Sequence, residues 1–214
     1  MTSLDAAAVI ARVEGRGVPV RGDDIDTDQI IPARFLKWIT FKGLEAHVFE
    51  DTRLAMARQE PPHPFDDPRF GGGRILITNR NFGCGSSREH AAQAIKRFGI
   101  AAIVGESFGE IFAGNCVSIG MPCVTADANT IRTLQDQCEA EPMSNLVLDL
   151  ISMTVECGGH GFPVHLAEGR RHQFLEGTWD ATAVLLGAGP AIDEKLRQLP
   201  AFSNAIASTN PLKG

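Results

Sequence analysis

RILITNRNFGCGSSREHAAQAIKRFGIAAIV, residues 74–104, is the stretch that decides the fold class. Its opening run, Arg74–Thr78, is short, apolar and rich in β-branched residues, which suits a buried strand. From Ser87 to Phe98, Ala91, Ala94, Ile95 and Phe98 recur at i, i+3, i+4 and i+7, the period of an amphipathic helix. Gly99 stands where a helix-ending glycine belongs, and Ile100–Val104 is a second apolar run of strand length. Strand, helix and strand with links this short imply parallel pairing through a right-handed crossover.

The same alternation continues toward the C-terminus. Phe108–Ala113 predicts a helix, Met121–Thr125 a strand and Thr130–Cys138 another helix. Beyond Leu146 the pattern changes to short alternating runs, Leu146–Leu150, Met153–Glu156 and Phe162–Leu166, as expected of antiparallel strands packed on the parallel layer. Ile192–Leu199 predicts a covering helix. Toward the N-terminus, Gly17–Val20 predicts a strand running into a turn at Arg21–Asp24. A short amphipathic piece is expected around Phe35–Ile39 and a helical stretch around Leu44–Phe49. Four prolines between Glu60 and Pro68 remove donors and fix φ, so that segment is expected to be an ordered surface loop. The expectation is one α/β domain over residues 1–214, with a parallel central sheet and a second, antiparallel strand layer.

Composition narrows the function classes. A chain of 214 residues can bury a real core, and its formal charge of −6 opposes a nucleic-acid or anionic-membrane partner. No apolar run approaches the roughly 18 residues of a membrane span. Met1–Asp5 has no basic n-region, so the cytoplasm is the expected location. The five cysteines, Cys84, Cys116, Cys123, Cys138 and Cys157, are odd in number and include no C-x-x-C pair. A disulfide framework, a structural zinc site and a cluster carried by this chain alone are all disfavoured, so no metal ligands are assigned. Cys116, Cys123 and Cys138 are expected to be small buried apolar residues.

Asn81–His90 carries the chemistry. Gly83 and Gly85 let the backbone turn tightly and let a ligand approach it closely. Free amides and the dipole at the following helix start favour an anion, Ser86 and Ser87 add hydroxyls, and Arg88 adds a planar fork suited to a carboxylate. A small acidic substrate is the expected ligand. Two other readings compete. Ser86-x-x-Glu89 matches a capping box, although a cation at Arg88 is out of place in a first helical turn. Gly83-x-Gly85 between strand and helix, with Glu106 about twenty residues on, resembles a dinucleotide turn. The third glycine position of that turn holds Arg88, and Asn79–Phe82 intervene after the strand. For Glu89 and His90 a supporting role behind the reacting groups is expected.

The string Asn81–Ala91 resembles the G-x-G-S-S-R-E-H signature of the swivelling domain of the aconitase superfamily. Asp26-Thr27-Asp28-Gln29-Ile30-Ile31-Pro32-Ala33-Arg34-Phe35-Leu36 is similar to an element near the start of the bacterial isopropylmalate isomerase small subunits. Segments Gly43–Phe49, Ser107–Phe112 and Gln198–Phe202 also resemble that family, over a core of about residues 15–203, and Cys84 is the residue it carries where aconitases have Glu. The resemblance implies a swivelling β/β/α three-layer domain and a separate large subunit holding a [4Fe–4S] cluster, with no cofactor bound by this chain. It implies Ser86 as catalytic base and Arg88, with Ser87 and Gly85, as binder of a dicarboxylate substrate. Arg34, Phe35, Leu36 and Lys37 are the candidates for substrate specificity, and Asp26, Thr27 and Asp28 for supporting the loop. The implied reaction is the interconversion of 2- and 3-isopropylmalate. A related hydro-lyase acting on citramalate, dimethylmalate or homoaconitate remains the alternative.

Overall fold

The computed structural model describes residues 9–189 together with Glu194, Lys195 and Gln198. In chain order the elements are β1 (Arg12–Val20), α1 (Thr27–Ile30), α2 (Glu50–Met56), β2 (Ile75–Thr78), α3 (Glu89–Phe98), β3 (Ala102–Gly105), α4 (Glu110–Ser118) and β4 (Cys123–Thr125). These are followed by α5 (Ala128–Ala140), β5 (Asn145–Asp149), β6 (Thr154–Cys157), β7 (His160–Pro163), α6 (Glu168–Glu176) and α7 (Ala181–Gly187). Every residue of β2 and β3 is buried, because a parallel strand covered on both faces has no polar face to alternate with. α3 turns Ala91, Ala92, Ala94 and Ile95 inward and ends at Gly99, where φ is 119°.

The strands hydrogen-bond in the order β4-β3-β2-β1-β5-β6-β7. β1 to β4 run parallel, with Val18 beside Leu76, Leu76 beside Ile103 and Val104 beside Val124. β5, β6 and β7 form an antiparallel meander, as the alternating runs imply. The two halves share one strand, which the sequence pattern does not announce. Gly17–Val20 of β1 pairs with β2, whereas Arg12–Arg16 pairs with β5. Gly17 sits at the change of partner. A Cβ there would fall 2.4 Å from Cys138 Sγ on α5, so the helix packs on bare backbone.

Two apolar clusters flank the parallel strands. One joins Val18, Val20, Leu76 and Ile103 to α3 and to the segment from Ile30 to Phe70. The other joins Ile75, Ile77 and Val104 to α5, to Leu146, Leu148 and Val155 of the antiparallel strands, and to Phe174 of α6. The antiparallel set therefore shares a core with the parallel one. Each fully buried Ile or Leu contributes on the order of 2–3 kcal/mol through apolar transfer. Cys116, Cys123 and Cys138 are buried within these clusters, as expected.

The first third departs from the expectations in detail. The piece predicted at Phe35–Ile39 is a 3₁₀ turn at Ala33–Lys37, and Ile39 is fully exposed. The helical stretch predicted at Leu44–Phe49 is a 3₁₀ turn over Leu44–His47. Phe49 then takes a left-handed φ of 54° before α2 begins. Left-handed backbone at a bulky residue breaks a helix, so one pattern yields two short pieces. The proline-rich segment is not only surface, since His63, Phe65 and Asp67 are buried in it. The helix expected over Ile192–Leu199 falls, apart from three residues, outside the described part.

Gly17→Ala should lower stability by about 1–3 kcal/mol through overpacking, and adding Cys138→Ala should recover most of the loss in denaturant unfolding. Strictly additive losses would refute the contact. A second expectation concerns pH. Burial is the main cause pulling His63 down to about 4, against the weaker upward pull of Asp66. The unfolded chain then binds more protons than the folded one between about pH 6.5 and 4, so stability is lost as pH falls through that window. His63→Gln should flatten that part of the stability–pH curve; an unchanged slope would show that His63 titrates normally.

Candidate functional site

β1 and β2 end side by side, and the segments that leave them stay together. Asp24 N–H donates to the Arg80 carbonyl at 2.9 Å, Gly83 N–H to Ile25 at 2.7 Å, and Thr27 N–H to Cys84 at 2.9 Å. Asp26 and Cys84 thus form a parallel bridge beyond the sheet. On the other side Phe82 N–H donates to Ser107 at 3.0 Å, and Gly109 N–H donates to Phe82 at 2.9 Å. Asp24 and Asn81 adopt left-handed φ values of 55° and 56°, which short polar side chains tolerate, and Asn81 Nδ2 donates to Asp24 Oδ1 at 2.8 Å. Gly83, at φ 74°, lies against Phe112, whose ring would meet a Cβ at 2.3 Å.

This clasp projects Gly85, Ser86 and Ser87 into solvent while holding their backbone from below. Buried Thr27 donates its hydroxyl to the Ser86 carbonyl at 3.1 Å. Thr27 is itself fixed because Asp26 caps α1, accepting from Gln29 N–H at 2.8 Å while Gln29 Oε1 accepts from Asp26 N–H. Asp28, on the same turn, ion-pairs with Arg88. Nη1 of Arg88 makes that contact off the hydrogen-bond axis, so it is an ion pair rather than an aligned bond. The Asp-Thr-Asp motif and the glycine–serine motif are therefore one unit in space.

The capping-box reading does not hold. α3 begins at Glu89, its N-cap is Arg88 in extended conformation, and no side chain caps it. Ser86 lies before the helix rather than at its cap. The hydroxyls of Ser86 and Ser87 have no partner among the described residues, so both remain available to a ligand at an uncapped helix start. Arg88 escapes the dipole's penalty by facing Asp28. The interval Asn79–Arg88 is pinned on both sides, and Arg88 stands as N-cap of α3 where a dinucleotide turn has its third glycine. Cys84 is half-buried, with Sγ toward the Asp24 carbonyl at 3.5 Å. Burial first, then Asp26 and Asp24, raise its pKa, so it is a protonated thiol here.

The four specificity candidates divide. Arg34 is held by Glu50 and Asp51, at 2.6 and 2.7 Å, and its pKa is raised by Asp51 and then Glu50. Phe35 is buried and stacks on His47 at 4.0 Å between ring centroids. Leu36 is half-buried, and Lys37 is exposed with no partner among the described residues. Trp38 and Ile39, which sequence reasoning passed over, are exposed beside them, at 39% and 100%. Two large apolar residues next to a lysine were the available signal. His90 packs edge-on against Phe41 at 5.1 Å, and its Nε2 is buried without a hydrogen bond among the described residues. A cleft of about 610 Å³ opens elsewhere, between Val20, His63 and Arg69, and reaches this unit only at Ile25 and Gln29. The serine loop itself is an open surface.

The profile of the aconitase C-terminal domain matches residues 7–128. The chain is 47% identical over 191 residues to the 3-isopropylmalate dehydratase small subunit of Synechocystis, covering 89% of this chain and 94% of that one. It is 45% identical over 188 residues to the small subunit of the same name from Thermus thermophilus, covering 88% and 94%. Its structure is similar to the crystal structure of 3-isopropylmalate dehydratase from Methanocaldococcus jannaschii. The TM-score is 0.64 and the identity 25%, over 86% of this chain and 99% of that one.

Thr27→Val keeps the shape of the side chain but removes the bond to Ser86. Stability should fall by about 1 kcal/mol, and amide exchange across Gly85–Arg88 should quicken by about tenfold. Exchange unchanged across that loop would show that Thr27 does not hold it.

Proposed function

The chain belongs to the 3-isopropylmalate dehydratase small-subunit family, and on that premise we propose how Ser86, Arg88 and the α1 loop take part in its reaction. It is the small subunit of a hydro-lyase that interconverts 2-isopropylmalate and 3-isopropylmalate by dehydration and rehydration in leucine biosynthesis. A small subunit works with a large one. We assign the family's [4Fe–4S] cluster, which supplies the Lewis acid for departing hydroxide, to that large subunit. No group of three or more His, Cys, Asp or Glu among the described residues of this chain is arranged to hold a metal, and Cys84 stands alone and protonated. We place the pair in the cytoplasm; no helix among the described residues is long and apolar enough to cross a membrane.

The contribution of this chain is to hold one end of the diacid and to move a proton. The proton removed lies next to a carboxylate, so negative charge develops on that carboxylate as the C–H bond breaks. Arg88 binds it there, with the uncapped amides of α3 adding donors that need no reorganisation. Asp28 fixes the guanidinium from behind and leaves its other N–H groups for the substrate. Ser86 Oγ takes the proton and returns it to the neighbouring carbon. Arg88 and the helix dipole make the alkoxide less unfavourable than in water. Ser87 and the Gly85 amide add hydrogen bonds, and Glu89 and His90 act from behind the reacting groups. Leu36, with Trp38 and Ile39, supplies the apolar surface that an isopropyl group needs, and Lys37 supplies a second cation for the diacid. Arg34, held by Glu50 and Asp51, organises that loop from behind.

The observation that carries this reading is the contact between two motifs far apart in sequence: Thr27 on Ser86, and Asp28 on Arg88. With the large subunit reconstituted, Ser86→Ala should lower turnover by about 10²–10⁴-fold while the subunits still assemble. Near-normal turnover in the assembled Ser86→Ala enzyme would overturn the assignment. The same preparation should turn over 2-isopropylmalate faster than citramalate; the reverse order would move the chain to a related hydro-lyase.

A further inference from the structure

Between the proline-rich loop and the end of β1 lies the cleft of about 610 Å³, a size typical of small-ligand sites. Nothing in the dehydration requires it. Its floor is apolar, made by Val20, Phe49, Phe70 and Pro61 among others. Its polar lining sets donors on Arg21, Gln29, His63 and Arg69 beside the carboxylates of Asp23, Asp67 and Glu139. Phe65 N–H donates to His63 Nδ1 at 3.2 Å, which leaves that nitrogen unprotonated. Burial keeps the ring neutral at pH 7, so the proton sits on Nε2, which has no partner among the described residues. His63 is only 4% exposed, so this donor is oriented by its surroundings rather than by water. Gln29 has its oxygen engaged by Asp26 N–H, which turns its NH₂ end free. Arg69 is locked by Nε and Nη2 onto buried Asp67 and lies over the Phe70 ring, so Nη1 remains.

The acids in the wall are already satisfied. Asp67 is held by Arg69, Glu139 by Arg21 and Asp23 by Arg80. A ligand entering here meets the donors left on Arg69, His63 and Gln29 beside acids that are already paired and an apolar floor. We propose that this cleft is a binding site for a small monocarboxylic acid with a branched or cyclic apolar body, its carboxylate on Arg69, His63 and Gln29. Arg21, the other cation of the lining, is taken up by Gln135, Asp136 and Glu139, so the second carboxylate of a diacid would find no free cation there, which disfavours it. Gln29 belongs to the cap of α1, so an occupant would sit one hydrogen bond from the turn that carries Thr27 and Asp28.

The test is calorimetric titration of the two-subunit enzyme, pre-equilibrated with saturating isopropylmalate so that the reaction site is filled. The probes are 4-methylpentanoate and its uncharged amide. The acid should bind saturably at one site, at least about tenfold more tightly than the amide. Met56→Trp, which fills the cleft from the half-buried face of α2, should abolish binding while turnover persists. Arg69→Gln should keep turnover and erase the preference for acid over amide. The proposal is overturned by no saturable heat, by equal binding of the two probes, or by a Met56→Trp enzyme that binds like the wild type. If Met56→Trp fails to assemble, Arg69→Gln decides, because an unchanged acid preference there also refutes the site.

Discussion

Two parallel strands that end together leave backbone donors and acceptors that must find partners beyond the sheet. In this protein they find each other. The bonds from Asp24 to Arg80, Gly83 to Ile25 and Thr27 to Cys84 carry the register of β1 and β2 past the last strand residues. Everything at the reactive end inherits its position from that continuation. Because the strands are buried on both faces, a slip in their register would cost several core side chains at once, and the two loops are fixed with corresponding force. A floppy glycine–serine loop thereby becomes a held one, with Thr27 on the Ser86 carbonyl and the Ser86 hydroxyl left unengaged among the described residues.

Charge is handled by the same economy. The chain is acidic, yet the substrate is a diacid, so the cations near the loop matter more than the total. Arg80 is tied to Asp23 and Asp24, and Arg34 to Glu50 and Asp51. Exposed pairs of this kind add little stability. Their effect is to decide which positive groups a ligand can reach. Arg88, mostly buried and oriented by Asp28, and Lys37, unpaired among the described residues, are among those left.

The parallel half of the fold was legible because β2 and β3 are uninterrupted apolar runs and α3 keeps its period from Ala91 to Ile95. The antiparallel half was legible from alternation. The role of β1 in both halves was not, because its two partners, Ile75–Thr78 and Asn145–Asp149, lie far from it in sequence. Local pattern also failed at Phe49, where a left-handed residue divides an apparent helix, and at Ser86, whose capping signature is outcompeted by the clasp below it. For the site, the residue types were readable and the pairings were not. Nothing in Arg34 announces Glu50, and nothing in Arg88 announces Asp28; each pair exists only once separate segments have met.

The shared strand has a consequence for how the chain comes into being. β1 is made before the other strands, but Arg12–Arg16 is completed by Asn145–Asp149, made only after all four parallel strands. A nascent chain that has already closed its parallel half still presents one open row of amides along β1. Such an edge invites pairing with a neighbouring chain. β5 thus does more than extend the sheet: it seals the seam through which an unfinished molecule would aggregate.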